Sequence, residues 1–220
     1  LTIMSQVTLR LLRFTYKKLK ENLTVSDSKT LFHEQFPYVI PSLFKRIVDE
    51  MLVELNLLHH QSEFSVDSFF CVGLTEIFND LTNGYEPEKH VEQLFNALCT
   101  STNFDPSNIK ETSIKTISEY KGKTLEEISD TIIKSCPEKN YYSRIFTLGI
   151  YKILSIANDF KEEEDIKKIS EIEKIFTSLN LPLVRAEKDI SLFKSSIKKF
   201  EQAKELIKET IKSEREKRNK

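Results

Sequence analysis

The chain has 220 residues, 39% hydrophobic and 30% charged, which is globular composition and excludes a disordered polymer. Four glycines and six prolines are too few for a β-rich fold, which needs turn residues every 8–12 residues or so. The net charge of −1 is unevenly held: residues 1–20 carry five basic residues and no acid, residues 183–220 carry 12 basic against 7 acidic, and the segment between is acidic.

Basic ends on an acidic body suit contact with anionic lipid or an acidic protein, although solvated helices also carry mixed charge of this kind. The longest uncharged stretches, such as Leu94–Phe104, fall well short of the ~20 apolar residues a bilayer span needs. Three widely spaced cysteines, Cys71, Cys99 and Cys136, form no CxxC and sit in apolar helical patterns, so they read as small core residues in a reducing compartment.

In chain order, residues 1–23 form a basic N-terminal extension without a secretory core or cleavage site. A basic amphipathic arm, a residual targeting segment and an extension from an upstream start all fit; the last is favoured, because the first helix signals follow Thr24. Ser26 or Asp27 can cap a short helix through about Gln35. Pro41 suits the first position of the next helix. Its apolar residues Phe44, Ile47, Val48, Met51, Leu52, Leu55 and Leu58 recur at helical spacing and predict one core-facing stripe.

Asp67 or Ser68 opens a helix that is apolar almost all round, with Gly73 inside it. Glycine costs about 1 kcal/mol there relative to alanine, which close approach of another helix would offset. Gly84 fits a helix C-terminus, and Pro87 opens the next helix through about Thr100. Asp105-Pro106 repeats the cap-then-proline pattern for a helix ending near Gly122. Thr124 and Glu127 form a T-x-x-E capping box for a helix ending before Pro137. Ile145–Phe160 is again apolar with a central Gly149 and reads as a second core helix. A charged segment leads into a helix through Leu179, and Asn180-Leu181-Pro182 breaks the chain.

The last segment differs. Leu183, Ala186, Ile190, Phe193, Ile197, Phe200, Lys204, Ile207 and Ile211 alternate steps of three and four, a heptad seam with one polar interruption. Glu201, Glu205 and Glu209 precede Lys204, Lys208 and Lys212 by three residues, which supports a long exposed helix. At ~1.5 Å per residue it makes a rod of roughly 50 Å. Such a rod either projects as an arm or lies along the body with a free tip, and its basic end is expected to fray. The fold expected is therefore all-α: a multi-helix bundle body over 24–181 and a long C-terminal helix of coiled-coil-like character over 182–220.

Signs of chemistry are few. Gly122-Lys123-Thr124 resembles the end of a phosphate-binding loop, but Ile117 stands where the first glycine belongs, and capping explains these residues. No two of His33, His59, His60 and His90 are spaced i, i+4, and no HExxH is present. Adjacent His59 and His60 diverge by about 100° on a helix and share an ion poorly. No nucleophile elbow or Gly-rich loop occurs. Basic residues are interleaved with acids, giving little support for nucleic-acid binding. No enzyme activity and no cofactor is implied.

The segments LVELNLLHHQ (Leu52–Gln61), DSFFCVGLTEIFNDLTNGYEPE (Asp67–Glu88), LFNALCTS (Leu94–Ser101), YSRIFTLGIYKIL (Tyr142–Leu154) and KDISLFKSSIKKFEQAKELIKE (Lys188–Glu209) follow one another in a distinctive order. With the opening TVSDSKTLFHEQFPYVIPSLFKRIVDEMLVEL, they resemble the thylakoid formation and photosystem II biogenesis protein family of oxygenic phototrophs, in its cyanobacterial form. The resemblance spans about Thr24–Arg218 and is sharpest at the Gly84-Tyr85-Glu86-Pro87 corner. Asn56 stands where the family has His and Cys71 where it has Ala. Residues 1–20 have no counterpart.

The resemblance implies a non-enzymatic accessory factor in thylakoid membrane biogenesis and in photosystem II assembly and repair. It implies a protein peripheral to the thylakoid membrane, on its cytoplasmic (stromal-equivalent) side, that binds and supports FtsH-type membrane protease complexes. Candidate contact residues are Lys198, Lys199, Lys204, Lys208 and Lys212 beside the apolar seam. The alternative is a membrane-surface organiser that binds anionic thylakoid lipid through the basic ends.

Overall fold

The structure, a computed structural model, describes residues 23–136, 141–157 and 165–218. Among these there are nine α-helices and no strand: α1 Val25–Gln35, α2 Ser42–His59, α3 Ser68–Thr82, α4 Lys89–Ser101, α5 Pro106–Tyr120, α6 Leu125–Ser135, α7 Arg144–Ser155, α8 Asp165–Ser178 and α9 Leu183–Arg218. The N-terminal extension expected over 1–23 lies, but for Leu23, outside the described residues.

The helix starts follow local hydrogen-bond chemistry. The α1 cap is Thr24, two or three residues earlier than Ser26 or Asp27 would place it. The Thr24 hydroxyl accepts from the Asp27 N–H at 3.2 Å, and the Asp27 carboxylate accepts from the Thr24 N–H at 3.0 Å. These reciprocal bonds satisfy two amides that the first turn leaves open, and the Thr24 bonds hold the Asp27 carboxyl below its usual range. Thr124 and Glu127 repeat the arrangement at α6, as their spacing predicts. Asp67 caps α3 and Ser143 caps α7. Pro41 and Pro87 stand just ahead of their helices, with Pro41 as the cap of α2 and Glu88 as the cap of α4. Gly84 (φ 81°) and Gly122 (φ 90°) take left-handed backbone after α3 and α5, where a side chain would be strained.

The chain divides into two compact units, neither continuous in sequence. The first comprises the chain through Phe64 with Gly84–Ser107 and holds α1, α2 and α4. Six of the seven α2 stripe residues are buried, Ile47 being half-buried, and they share a core with Phe32, Phe36, Leu94 and Leu98. Asn56 is buried among them. Its amide donates to the Leu23 carbonyl at 2.8 Å and to the Ser28 hydroxyl at 2.9 Å, tying the start of α1 to the last turn of α2. Tyr85 packs edge-on against Phe44 with ring centres 4.8 Å apart, which fixes the Gly84–Pro87 corner.

The second unit comprises Ser65–Asn83 and the chain from Asn108 on. Its centre is the crossing of α3 and α7, the two helices that are apolar on nearly every face. A Cβ on Gly73 would lie 2.0 Å from the Ile145 carbonyl oxygen, and one on Gly149 would lie 1.8 Å from the Phe69 carbonyl oxygen. The two backbones therefore touch, and only glycine permits it at either position. This is the close approach that Gly73 predicts. Helix α7 ends at Ser155, short of the Ile145–Phe160 stretch that hydropathy marks out, and Phe160 is outside the described residues. Helix α6 is held to α8 by Lys174, whose ammonium donates to Asp130 at 2.8 Å and holds that carboxyl below its usual range.

Candidate docking surface

Helix α9 starts after a left-handed turn at Asn180 (φ 55°), where the Leu181 N–H donates to the Phe176 carbonyl at 2.9 Å. Proline cannot continue α8, so Pro182 begins a new direction and its carbonyl accepts the first α9 bond, from Ala186 at 3.1 Å.

The two ends of α9 live in different surroundings. Over the first half the seam is inward: Ala186, Ile190 and Phe200 are buried, and Leu183, Phe193 and Ile197 are half-buried. Polar contacts fasten this half to the segment around α7. The Tyr142 hydroxyl donates to the Asp189 carboxylate at 2.7 Å, and the Arg185 guanidinium lies 4.6 Å from the Tyr142 ring centre. Burial, and then donation to Asp189, push the Tyr142 phenol well above its ordinary value. Lys152 lies 5.7 Å from the Phe193 ring centre and pairs with Asp80. Lys194 lies 5.5 Å from the Tyr151 ring centre.

The inward packing ends at Lys204. Its ammonium donates to Glu201 at 2.9 Å and sits 5.6 Å from the Phe200 ring centre. From Glu205 through Lys217 every side chain is exposed. Leu206 is 64% exposed, Ile207 44% and Ile211 45%. Among the described residues, these isoleucines at seam spacing have no partner of the kind the heptad pattern requires. Of the candidate contact residues, Lys198, Lys199, Lys208 and Lys212 are exposed, and Lys204 is half-buried in the contacts just given. The helix continues to Arg218.

Other candidates resolve into structural roles. Thr124 caps α6, Gly122 makes the turn, and the Lys123 ammonium lies 4.8 Å from the Tyr120 ring centre. His60 donates from Nδ1 to the Asn56 carbonyl at 2.7 Å, and His59 accepts at Nε2 from the Asn103 amide at 3.4 Å. Among the described residues no group of His, Cys, Asp and Glu side chains is placed to hold a metal ion, and no helix is long and apolar enough to cross a membrane. Cys71 and Cys99 are buried, and burial pushes the Cys71 thiol up to about 12. Cys136 is half-buried at the end of α6 rather than in a core.

Two clefts escaped the sequence reading. One, of about 380 Å³, lies between Phe69, Tyr120 and Ser135; the other, of about 260 Å³, lies between Tyr151, Ile172 and Ile190. The first draws its walls from α3, α5 and α6 and the second from α7, α8 and α9, so no spacing within a single helix could have marked either.

The sequence model of the family described as "Thylakoid formation protein" matches residues 24–220. Protein Thf1 of Prochlorococcus marinus subsp. pastoris is 58% identical over 201 residues, covering 91% of this chain and 100% of that protein. Protein Thf1 of a Synechococcus species is 38% identical over 197 residues, covering 89% of this chain and 92% of its own. The solved structure of Psb29 superposes with a TM-score of 0.82 at 27% identity, covering 90% of this chain and all of that one. The family model is named for thylakoid formation rather than for a reaction, and the likeness to these relatives runs through both compact units. The chain belongs to the thylakoid formation protein family.

Proposed function

We propose that this chain is a non-enzymatic accessory factor in thylakoid formation that docks on an FtsH-type membrane protease complex and so serves photosystem II assembly and repair. It acts at the cytoplasmic face of the thylakoid membrane as a peripheral protein. One observation carries the docking part: the last turns of α9 hold an apolar seam, Ile207 and Ile211, with Lys208 and Lys212 alongside, and none of the described residues covers it. An amphipathic helix in this condition is a ready element for a hydrophobic groove with an acidic rim. Family membership supports the thylakoid part.

The test is affinity capture from detergent-solubilised thylakoids with the tagged chain and with a copy ending at Glu205. That truncation keeps Phe200 and Lys204, so the inward half of α9 stays packed. Recovery of an FtsH-type protease by the full chain alone supports the reading. Equal recovery by both removes the helix end from it. No protease recovery, together with salt-sensitive sedimentation on anionic vesicles, replaces it with the membrane-organiser reading, in which the exposed lysines meet lipid headgroups.

A further inference from the structure

The heptad register of α9 runs on beyond its buried half. Lys204 and Ile211 occupy one seam position of successive heptads, and Ile207 and Glu214 occupy the other. Taken alone, this stretch is an incomplete core: two isoleucines, with a cation one turn before them and an anion one turn after. A second copy completes it only in one orientation. In a parallel pair, Lys204 would face Lys204 and Glu214 would face Glu214. Turned end for end about a two-fold axis level with Glu209, the second copy sets its Ile211 opposite Ile207 and its Glu214 opposite Lys204, each contact occurring twice. In the same register Glu201, beside the seam, falls opposite Arg215 of the second copy. Both polar interruptions of the seam find an opposite charge.

We propose that the exposed end of α9 pairs antiparallel with the same segment of a second copy. The contact is isologous, so it closes at two copies and cannot grow into a filament. It is also short, and Lys208 faces its own copy near the axis, so association is weak and follows protein concentration. The inference stands apart from the protease reading. Where both hold, a second copy and the protease compete for Ile207 and Ile211, and pairing masks the docking surface.

The full chain is to be followed by sedimentation velocity over a concentration series at low salt, beside the variants Lys204→Glu and Glu214→Lys. The expected result is a sedimentation coefficient that rises with concentration for the wild type. Each single variant, placing like charges opposite one another twice, should weaken association by about tenfold or more. An equimolar mixture of the two variants should associate like the wild type, because each then meets the opposite charge. Glu214 is exposed and outside every packed contact, so Glu214→Lys tests the pairing without disturbing the fold. A wild type that stays monomeric throughout, single variants that associate as the wild type does, or a mixture that stays dissociated would each overturn the proposal.

Discussion

The α3–α7 crossing and the end of α9 put the same kind of residue to opposite uses. At the crossing, Ile150, Ile153 and Leu154 are fully buried and two glycines bring the backbones into contact. At the end of α9, Ile207 and Ile211 repeat with equal regularity and lie open. Apolar periodicity marks a face that needs covering; it does not say what covers it. The presence of Gly73 and Gly149 is what separates the two cases. Small residues at a fixed point of two apolar helices imply a specific intramolecular partner, whereas a seam lined with Lys and Glu implies a helix that tolerates water.

The comparison breaks most sharply at Gly149. A Cβ there would overlap the Phe69 carbonyl oxygen, which belongs to backbone and has nowhere to move. Gly149→Ala should therefore cost at least about 3 kcal/mol, at the upper end of overpacking, despite alanine's better helix propensity. Urea unfolding followed by circular dichroism would show it. A variant as stable as the wild type would mean that the helices separate readily, and the crossing would lose its special standing.

Next in size is Asn56→Ala. It removes a buried amide that serves two acceptors, the Leu23 carbonyl and the Ser28 hydroxyl, and leaves a buried hydroxyl short of its donor. A loss of about 1–3 kcal/mol is expected, again by urea unfolding. Protease nicking ahead of α1 should rise with it, because the lost bonds hold the start of that helix.

Smaller still, Ile211→Ser should change the stability of the isolated chain at low concentration by no more than about 0.5 kcal/mol, the ordinary range for an exposed site. The same substitution at Ile153, on the buried face of α7, would cost several times more. A large loss from Ile211→Ser would show that the end of α9 is covered after all.

Much of this was legible in the sequence because it rests on local chemistry. The Thr124–Glu127 box, the left-handed Gly84 and Gly122, the α2 stripe and the long α9 each depend on residues within a turn or two of one another. The cap of α1 was misplaced by two or three residues because Thr24, Ser26 and Asp27 are all competent caps, and only the reciprocal bond selects Thr24. The two-unit division was not legible. It assigns α3 to a different unit from its chain neighbours α2 and α4, a choice made by long-range contacts such as Gly73 against Ile145. At the candidate surface, the seam and its lysines were visible, but the point at which burial stops was not. That point is set by Lys204 folding back on Phe200 and Glu201.

His59 gives the smallest and most conditional effect. Its Nε2 accepts from the Asn103 amide, a role that only the neutral ring can fill, and the His60 ring centre is 5.7 Å away. Burial first, and the neighbouring His60 charge second, lower its pKa from the ordinary 6.5. The unfolded chain thus takes up the proton first as pH falls. The stability contributed by neutral His59 is fully present above about 6.5 and is lost as the pH falls through the lower value of the folded state. His59→Gln keeps an acceptor for Asn103 and removes the titration. The stability of the wild type relative to this variant should therefore decline between about pH 7 and about pH 5, by denaturant unfolding at each pH. A difference that stays constant across that interval would mean that His59 is solvated enough to titrate alike in both states. The Asn103 contact would then be incidental to the fold.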